Sequence, residues 1–152
     1  YGVPDRTCKC TSQQLQRYLA RISGPLLDRF DIQLDIPAVK SQELLTENFE
    51  SEPSHPIRDR VCSARKIQLD RYRKYRLFSN SQLPAKLIKQ YCGLSEPCLQ
   101  LMEKAIRKFH LSARAYHRIL KVARTIADLE AVSDIQPQHL AEAIQYRSID
   151  QY

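Results

Sequence analysis

The chain has 152 residues, 43% of them apolar and 8% aromatic, which suits one ordinary domain or a small domain with an appendage. Few glycines and many Leu, Ala, Lys, Arg and Gln residues lean towards helix. No apolar run approaches the ~18 residues that a membrane-spanning helix needs, so no membrane partner is expected for these residues. The net charge of +7 is uneven: residues 1–54 are slightly acidic, whereas residues 55–152 hold 18 Lys/Arg against 9 Asp/Glu. That asymmetry implies either a phosphate-bearing partner for the C-terminal part or a merely basic soluble surface.

In chain order, residues 1–37 open with "YGVPDRTCKC", which has no initiator Met and no apolar signal segment, and reads as the edge of an excised piece. A mixed "QQLQRYLARI" segment and the turn "SGPLLDRFD" follow. In "DIQLDIP", Ile32, Leu34 and Ile36 alternate with Gln33 and Asp35, which predicts a strand ended by Pro37. A single strand cannot bury its apolar side alone, so its sheet partners are expected elsewhere. Residues 38–54 are acidic, polar and end in proline, and read as a linker.

From residue 55 the pattern is helical. A basic helix spans "PIRDRVCSARKIQLDRYRKYR", and a short one around "PAKLIKQY" is expected to stop at Cys92-Gly93 with a glycine cap. Ser95-Glu96-Pro97 and Ser112 are the expected starts of the next two helices. Gln136-Pro137 opens the last, with Ile135 and Leu140 at hydrophobic-staple spacing. In the helix after Ser112, Tyr116, Ile119, Leu120, Ala123, Ile126 and Ala127 form one apolar face, with Arg114, Arg118, Lys121 and Thr125 on the other side. The expected fold is thus mainly α, a bundle of four or five helices at 55–152.

Several residues are candidates for chemistry. Arg114 lies in the first turn of a helix, where the dipole disfavours a cation. Either it is a screened surface group, or it and the exposed N–H groups converge on a phosphate. Arg29 stands between Asp28 and Asp31, and reads either as a local ion pair that fixes the turn or as a cation aimed across an interface at a phosphoryl group. Cys8 and Cys10 make a C-x-C, half of a four-thiolate metal site. Cys62, Cys92 and Cys98 have no ligand spacing and are expected in the core. Five cysteines without a paired framework favour a reducing compartment, hence the cytoplasm. The four histidines read as surface or cap residues. No G-x-x-x-x-G-K-[ST] occurs, so this chain carries no phosphate loop of that kind.

Taken together, "RYLARISGPLLDRFDIQLDIP", "RVCSARKIQLDRY", "YCGLS", "LSARAYHRILKVARTIADL" and "HLAEAIQYRSID" resemble the C-terminal part of the Mg-chelatase-like AAA+ ATPases, in their bacterial competence-protein branch. The resemblance implies that a phosphate-loop core precedes these residues, that 1–37 is the end of that core, and that 55–152 is its helical lid. It implies that Arg114 is a sensor-2 arginine reaching the γ-phosphate of ATP, and that Arg29 is an arginine finger offered to the neighbouring subunit, with Arg21 a second candidate. It further implies ATP and Mg2+ as cofactors, zinc on Cys8 and Cys10 if an upstream Cys-Pro-Cys-Gly completes them, a homo-oligomeric (hexameric) ring, and DNA as the processed partner. Two other readings stand beside it: a stand-alone DNA-binding module whose Ser112 helix enters a groove, and the lid of a metal-chelatase subunit.

Overall fold

The computed structural model describes residues 9–36, 39 and 51–147. Two short helices come first, Ser12–Leu19 (α1) and Gly24–Leu27 (α2), and neither buries a residue. Thr11 closes a capping box with Gln14 at the start of α1. Five helices follow: Ser54–Tyr72 (α3), Ala85–Tyr91 (α4), Glu96–Phe109 (α5), Ala113–Leu129 (α6) and Pro137–Gln145 (α7). Single 3-10 turns at Arg73–Tyr75 and Asn80–Gln82 join α3 to α4. The mainly helical bundle expected from the sequence is what forms.

Helix α6 is the axis of the bundle. Its expected face holds, with Ile119, Leu120, Ala123, Ile126 and Ala127 buried and Tyr116 half-buried. Ile119, Leu120, Ala123 and Ile126 share one core with Leu140, Ala143 and Ile144 of α7, Met102 and Ala105 of α5, and Leu87 and Ile88 of α4, and Tyr116 packs against it. The alanines on α6 and α7 let the two helices approach closely, so a short helix such as α7 still excludes water along most of one side. Ile135 and Leu140 are both buried, as the staple spacing requires. The chain leaves α5 through His110, at φ 48, and leaves α6 through Ala131, at φ 56. Each left-handed residue lets a following N–H return to the helix: Leu111 donates to the Ile106 carbonyl and Val132 to that of Ala127.

Several expectations change in detail. Ser95 occupies the cap position of α5 but its side chain makes no capping bond, whereas Ser112 accepts from the Ala115 N–H at 3.1 Å. Gly93 follows α4 without a left-handed φ, so the helix ends through Cys92 and the Cys92 N–H bond to Ile88 rather than by a glycine cap. Cys92 and Cys98 are core residues, but Cys62 is exposed, because the first ten residues of α3 extend past the bundle. His139 is a cap residue, yet fully buried.

The strand expected at 32–36 does not form within this chain. No strand occurs among the described residues; the one β-bridge joins Leu94 to Ile135. No described residue offers residues 32–36 a neighbouring strand, and Ile32, Leu34 and Ile36 are all exposed. A single backbone bond, Gln33 N–H to the Tyr146 carbonyl at 2.8 Å, ties the segment to the end of α7. Cys8, Pro37 and most of the expected 38–54 linker lie outside the described residues.

Candidate functional site

The start of α6 collects the sequence-derived candidates. Ser112 is the N-cap, and Arg114 is the second residue of the helix. Among the described residues the Arg114 side chain has no hydrogen bond or ion pair, and it is exposed. It lines a cleft of about 820 Å³ between α6 and residues 31–34, with His117, Arg118 and Lys121 along the same helix face and Ile32 and Leu34 opposite. Arg118 is already paired with Asp31, and Lys121 Nζ donates to the Ser81 carbonyl at 2.9 Å. Burial, with Arg118 beside it, holds the Lys121 pKa below the ordinary lysine value. Of the three strongly basic residues on this face, Arg114 alone is left without a partner among the described residues, at the end of the helix where N–H groups favour an anion.

Arg29 lies on the turn after α2, exposed, and its Nη1 donates to the Pro25 carbonyl at 2.7 Å. The local ion pair with Asp28 or Asp31, one of the two readings of Arg29, is not made. Asp28 instead accepts from Ser112 Oγ at 2.8 Å and from Arg147 at 3.2 Å, and Asp31 is taken by Arg118. The two acids flanking Arg29 are therefore committed to the helical bundle, and Arg29 is free of any carboxylate among the described residues. Arg29 is not among the residues lining the Arg114 cleft, so the two candidate arginines do not share a site within one chain. Arg21, just past α1, is likewise exposed.

The other basic residues are sorted by the fold. Arg58, Arg65, Lys66, Arg73 and Lys74 are exposed on and after α3, whereas Arg60 pairs with Glu52. Arg71, which the sequence groups with them, turns inwards. It grips Asp128 with both terminal nitrogens at 2.8 and 2.5 Å. Asp128 also accepts from Arg124 Nε at 3.1 Å and from Asn80 Nδ2 at 2.8 Å. Arg124 spends its remaining donors on the Val132 and Ser133 carbonyls, both at 2.6 Å, which the left-handed turn at Ala131 folds back over it. Tyr72 OH, Gln68 and Thr125 complete the set around Asn80. Burial works against the Arg71 charge, and the Asp128 carboxylate outweighs it, holding the guanidinium above its usual range. Thr125, half-buried beside the cleft, also joins this network through Asn80. Among the described residues no buried side-chain nitrogen or oxygen lacks a partner.

For metals, no group of three or more His, Cys, Asp or Glu side chains suited to an ion occurs among the described residues. Cys10 is exposed, and its expected companion Cys8 lies outside them. The α6 end suits phosphate oxygens; the two carboxylates that reach it among the described residues, Asp28 and Asp31, are bonded to Ser112, Arg147 and Arg118 and form no metal-suited group. No helix among the described residues is long and apolar enough to cross a membrane.

Sequence comparison fits this architecture. A family model described as magnesium chelatase, subunit ChlI C-terminal, matches residues 51–147, which hold the whole bundle and Arg114. The chain belongs to the magnesium chelatase ChlI family. A second model, magnesium chelatase, subunit ChlI, matches residues 1–44. Among curated proteins, the chain is 43% identical over 148 residues to competence protein ComM of Haemophilus influenzae, covering 97% of this chain and 28% of that protein. It is 42% identical over 142 residues to the uncharacterized protein YifB of Salmonella typhimurium, covering 93% of this chain and 27% of that one. An uncharacterized protein of Mycobacterium bovis is 28% identical over 140 residues. The chain thus spans a little over a quarter of the length of the relatives it matches.

Proposed function

We propose that this chain is the lid and the adjoining core edge of an AAA+-type ATPase that works as a homo-oligomeric ring on DNA. Arg114 is the sensor that reads the γ-phosphate of ATP, and Arg29 is the finger given to the next subunit. The observation that carries this reading is Arg114: an exposed guanidinium without a partner among the described residues, set at a helix N-terminus over a cleft. A phosphate satisfies both the cation and the N–H groups there. Membership of the ChlI family supports the nucleotide, with Mg2+ supplied together with ATP and held by residues outside this chain. The similarity to a protein named for competence favours DNA over a metal-insertion substrate, and the exposed basic residues on α3 suit a phosphate backbone.

The stand-alone groove-binding alternative is disfavoured by the placement of α6. That helix is the packing axis of the bundle, and its basic face is turned to the 31–34 segment, with Arg118 and Lys121 engaged.

The test uses the complete protein that carries this chain. Arg114→Ala is expected to lower ATP turnover by about tenfold or more with the fold intact, and turnover within about twofold of wild type rejects the sensor assignment. Arg29→Ala rings are expected to be inactive but to regain turnover when mixed with subunits lacking a working phosphate loop, because the two lesions lie on opposite sides of one interface. Mixtures that stay inactive reject a finger acting in trans.

A further inference from the structure

The acids beside Arg29 have partners 84 to 119 residues away, and all of those partners lie around the Arg114 end of the bundle. Ser112 Oγ donates to Asp28 while accepting from the Ala115 N–H, so one hydroxyl joins the α6 cap to the α2 turn. Arg147, just past α7, spans the same turn: one terminal nitrogen donates to the Phe30 carbonyl at 2.5 Å and the other to Asp28. Arg118 holds Asp31, and the Gln33 N–H holds the Tyr146 carbonyl. These contacts converge on residues 28–33, in a segment where no residue is buried. Apolar packing therefore does not fix this turn; the polar contacts do. The Arg147 side chain is only 5% exposed, so its two bonds are better shielded from water than a surface ion pair.

We propose that Asp28, Asp31 and Arg147 form a positioning clamp that makes the Arg29 turn and the Arg114 helix end move as one body. Among the described residues the Arg29 side chain bonds only to the Pro25 carbonyl, four residues back, so its direction follows the turn that carries it. Whatever shifts the α6 N-terminus shifts Ser112, and with it Asp28, the residue next to Arg29. A phosphate engaged by Arg114 in one subunit would thereby set where that subunit's Arg29 points at its neighbour. The sites of adjacent subunits would be linked by a rigid element rather than by a flexible connection. This role rests on the proposed functions of the two arginines, but the clamp itself does not.

Two measurements separate the clamp from that reading. The first is amide hydrogen exchange on this chain. Arg147→Met is expected to speed exchange of the Gln33 amide by about tenfold while the Ile119 and Leu120 amides stay protected, with Arg147→Lys closer to wild type. Asp28→Asn, on the turn after α2 and outside the apolar core, is expected to do the same more weakly. Unchanged exchange in both Arg147→Met and Asp28→Asn overturns the clamp. The second measurement is steady-state turnover and nucleotide affinity in the complete protein. Arg147→Met is expected to lower kcat by about tenfold, leave the nucleotide Kd unchanged because Arg114 is intact, and regain part of kcat as Arg147→Lys. Faster exchange with unaltered kcat, in a protein that Arg29→Ala inactivates, overturns the coupling role. Full turnover by Arg114→Ala and Arg29→Ala would instead remove the ATPase reading, and the exchange result would still decide whether the clamp exists.

Discussion

Helix α6 carries a charge of the unfavoured sign at each of its ends. Arg114 sits at the positive N-terminal end of the dipole, and Asp128 sits in the last turn, at the negative end. The fold treats them in opposite ways. Asp128 is enclosed and accepts from Arg71, Arg124 and Asn80, so its charge is balanced inside the chain. Arg114 is exposed, and no described residue offers it an anion. One misplaced charge has been built into the core; the other is presented outwards. The difference separates an ionic residue built into the core from one left exposed better than charge or helix position does, because both residues break the same dipole rule.

The contrast is most easily broken at Asp128. Asp128→Asn keeps the shape but leaves two guanidiniums facing an amide, so it is expected to cost about 3–5 kcal/mol, the usual cost of stripping one partner from a buried ion pair. Arg114→Ala, which removes no contact seen here, should stay within about 0.5 kcal/mol. Urea unfolding of the two variants measures both, with the midpoint moving and the slope unchanged. Equal losses would mean that the two ends of α6 are not different in kind.

Legibility in the sequence divides along the same line. Leu120, Ala123 and Ala127 announce the core side of α6 through spacing alone, and Ser112 announces its start through side-chain chemistry. Arg124 and Asp128 lie on that same arc, and their i,i+4 spacing was the available signal that an ion pair is buried there. Charge alone argues for solvent, and it takes Arg71, 57 residues away, to reverse that. The pairing of Asp28 with Ser112 and of Asp31 with Arg118 is out of reach for a local reading. Neighbouring opposite charges suggest each other as partners, and only the fold brings the distant competitors in. The strand at 32–36 is the reverse case: its alternation is plain in the sequence, but a strand also needs a second strand, which no described residue supplies.

A smaller effect sharpens the picture of the closed end. Cys92 lies near Arg124 and Arg71, cations that would lower a thiol pKa, yet burial prevails and pushes it up to about 11. Burial thus disfavours a thiolate here even beside two guanidiniums. Peptide mapping after brief iodoacetamide treatment of the native chain should show Cys62, exposed on α3, modified about a hundredfold faster than Cys92. Comparable rates would place water at the Asp128 end and undo the distinction between the two ends. Asp128→Asn, by loosening the same packing, should raise the Cys92 rate towards that of Cys62.

The weakest expected effect lies where α6 hands over to α7. The Gln136 N–H donates to His139 Nδ1 at 3.0 Å, so that nitrogen is unprotonated and the ring proton lies on Nε2, facing Glu130 at 2.9 Å. This hydrogen bond, chiefly, lowers the Glu130 pKa below 4.5 against a smaller opposing contribution from burial. A carboxylate whose folded pKa is depressed adds stability above its unfolded pKa, and that stability is lost as pH falls through the folded value. Glu130→Gln should therefore be slightly less stable than wild type at neutral pH, and the gap should close as the pH falls below the carboxylate range. Thermal melts of both proteins along a descending pH series read this directly. A gap that is constant with pH would show that the α7 cap is held by His139 and Gln136 alone, and that Glu130, unlike Asp128, adds nothing by its charge at this end of α6.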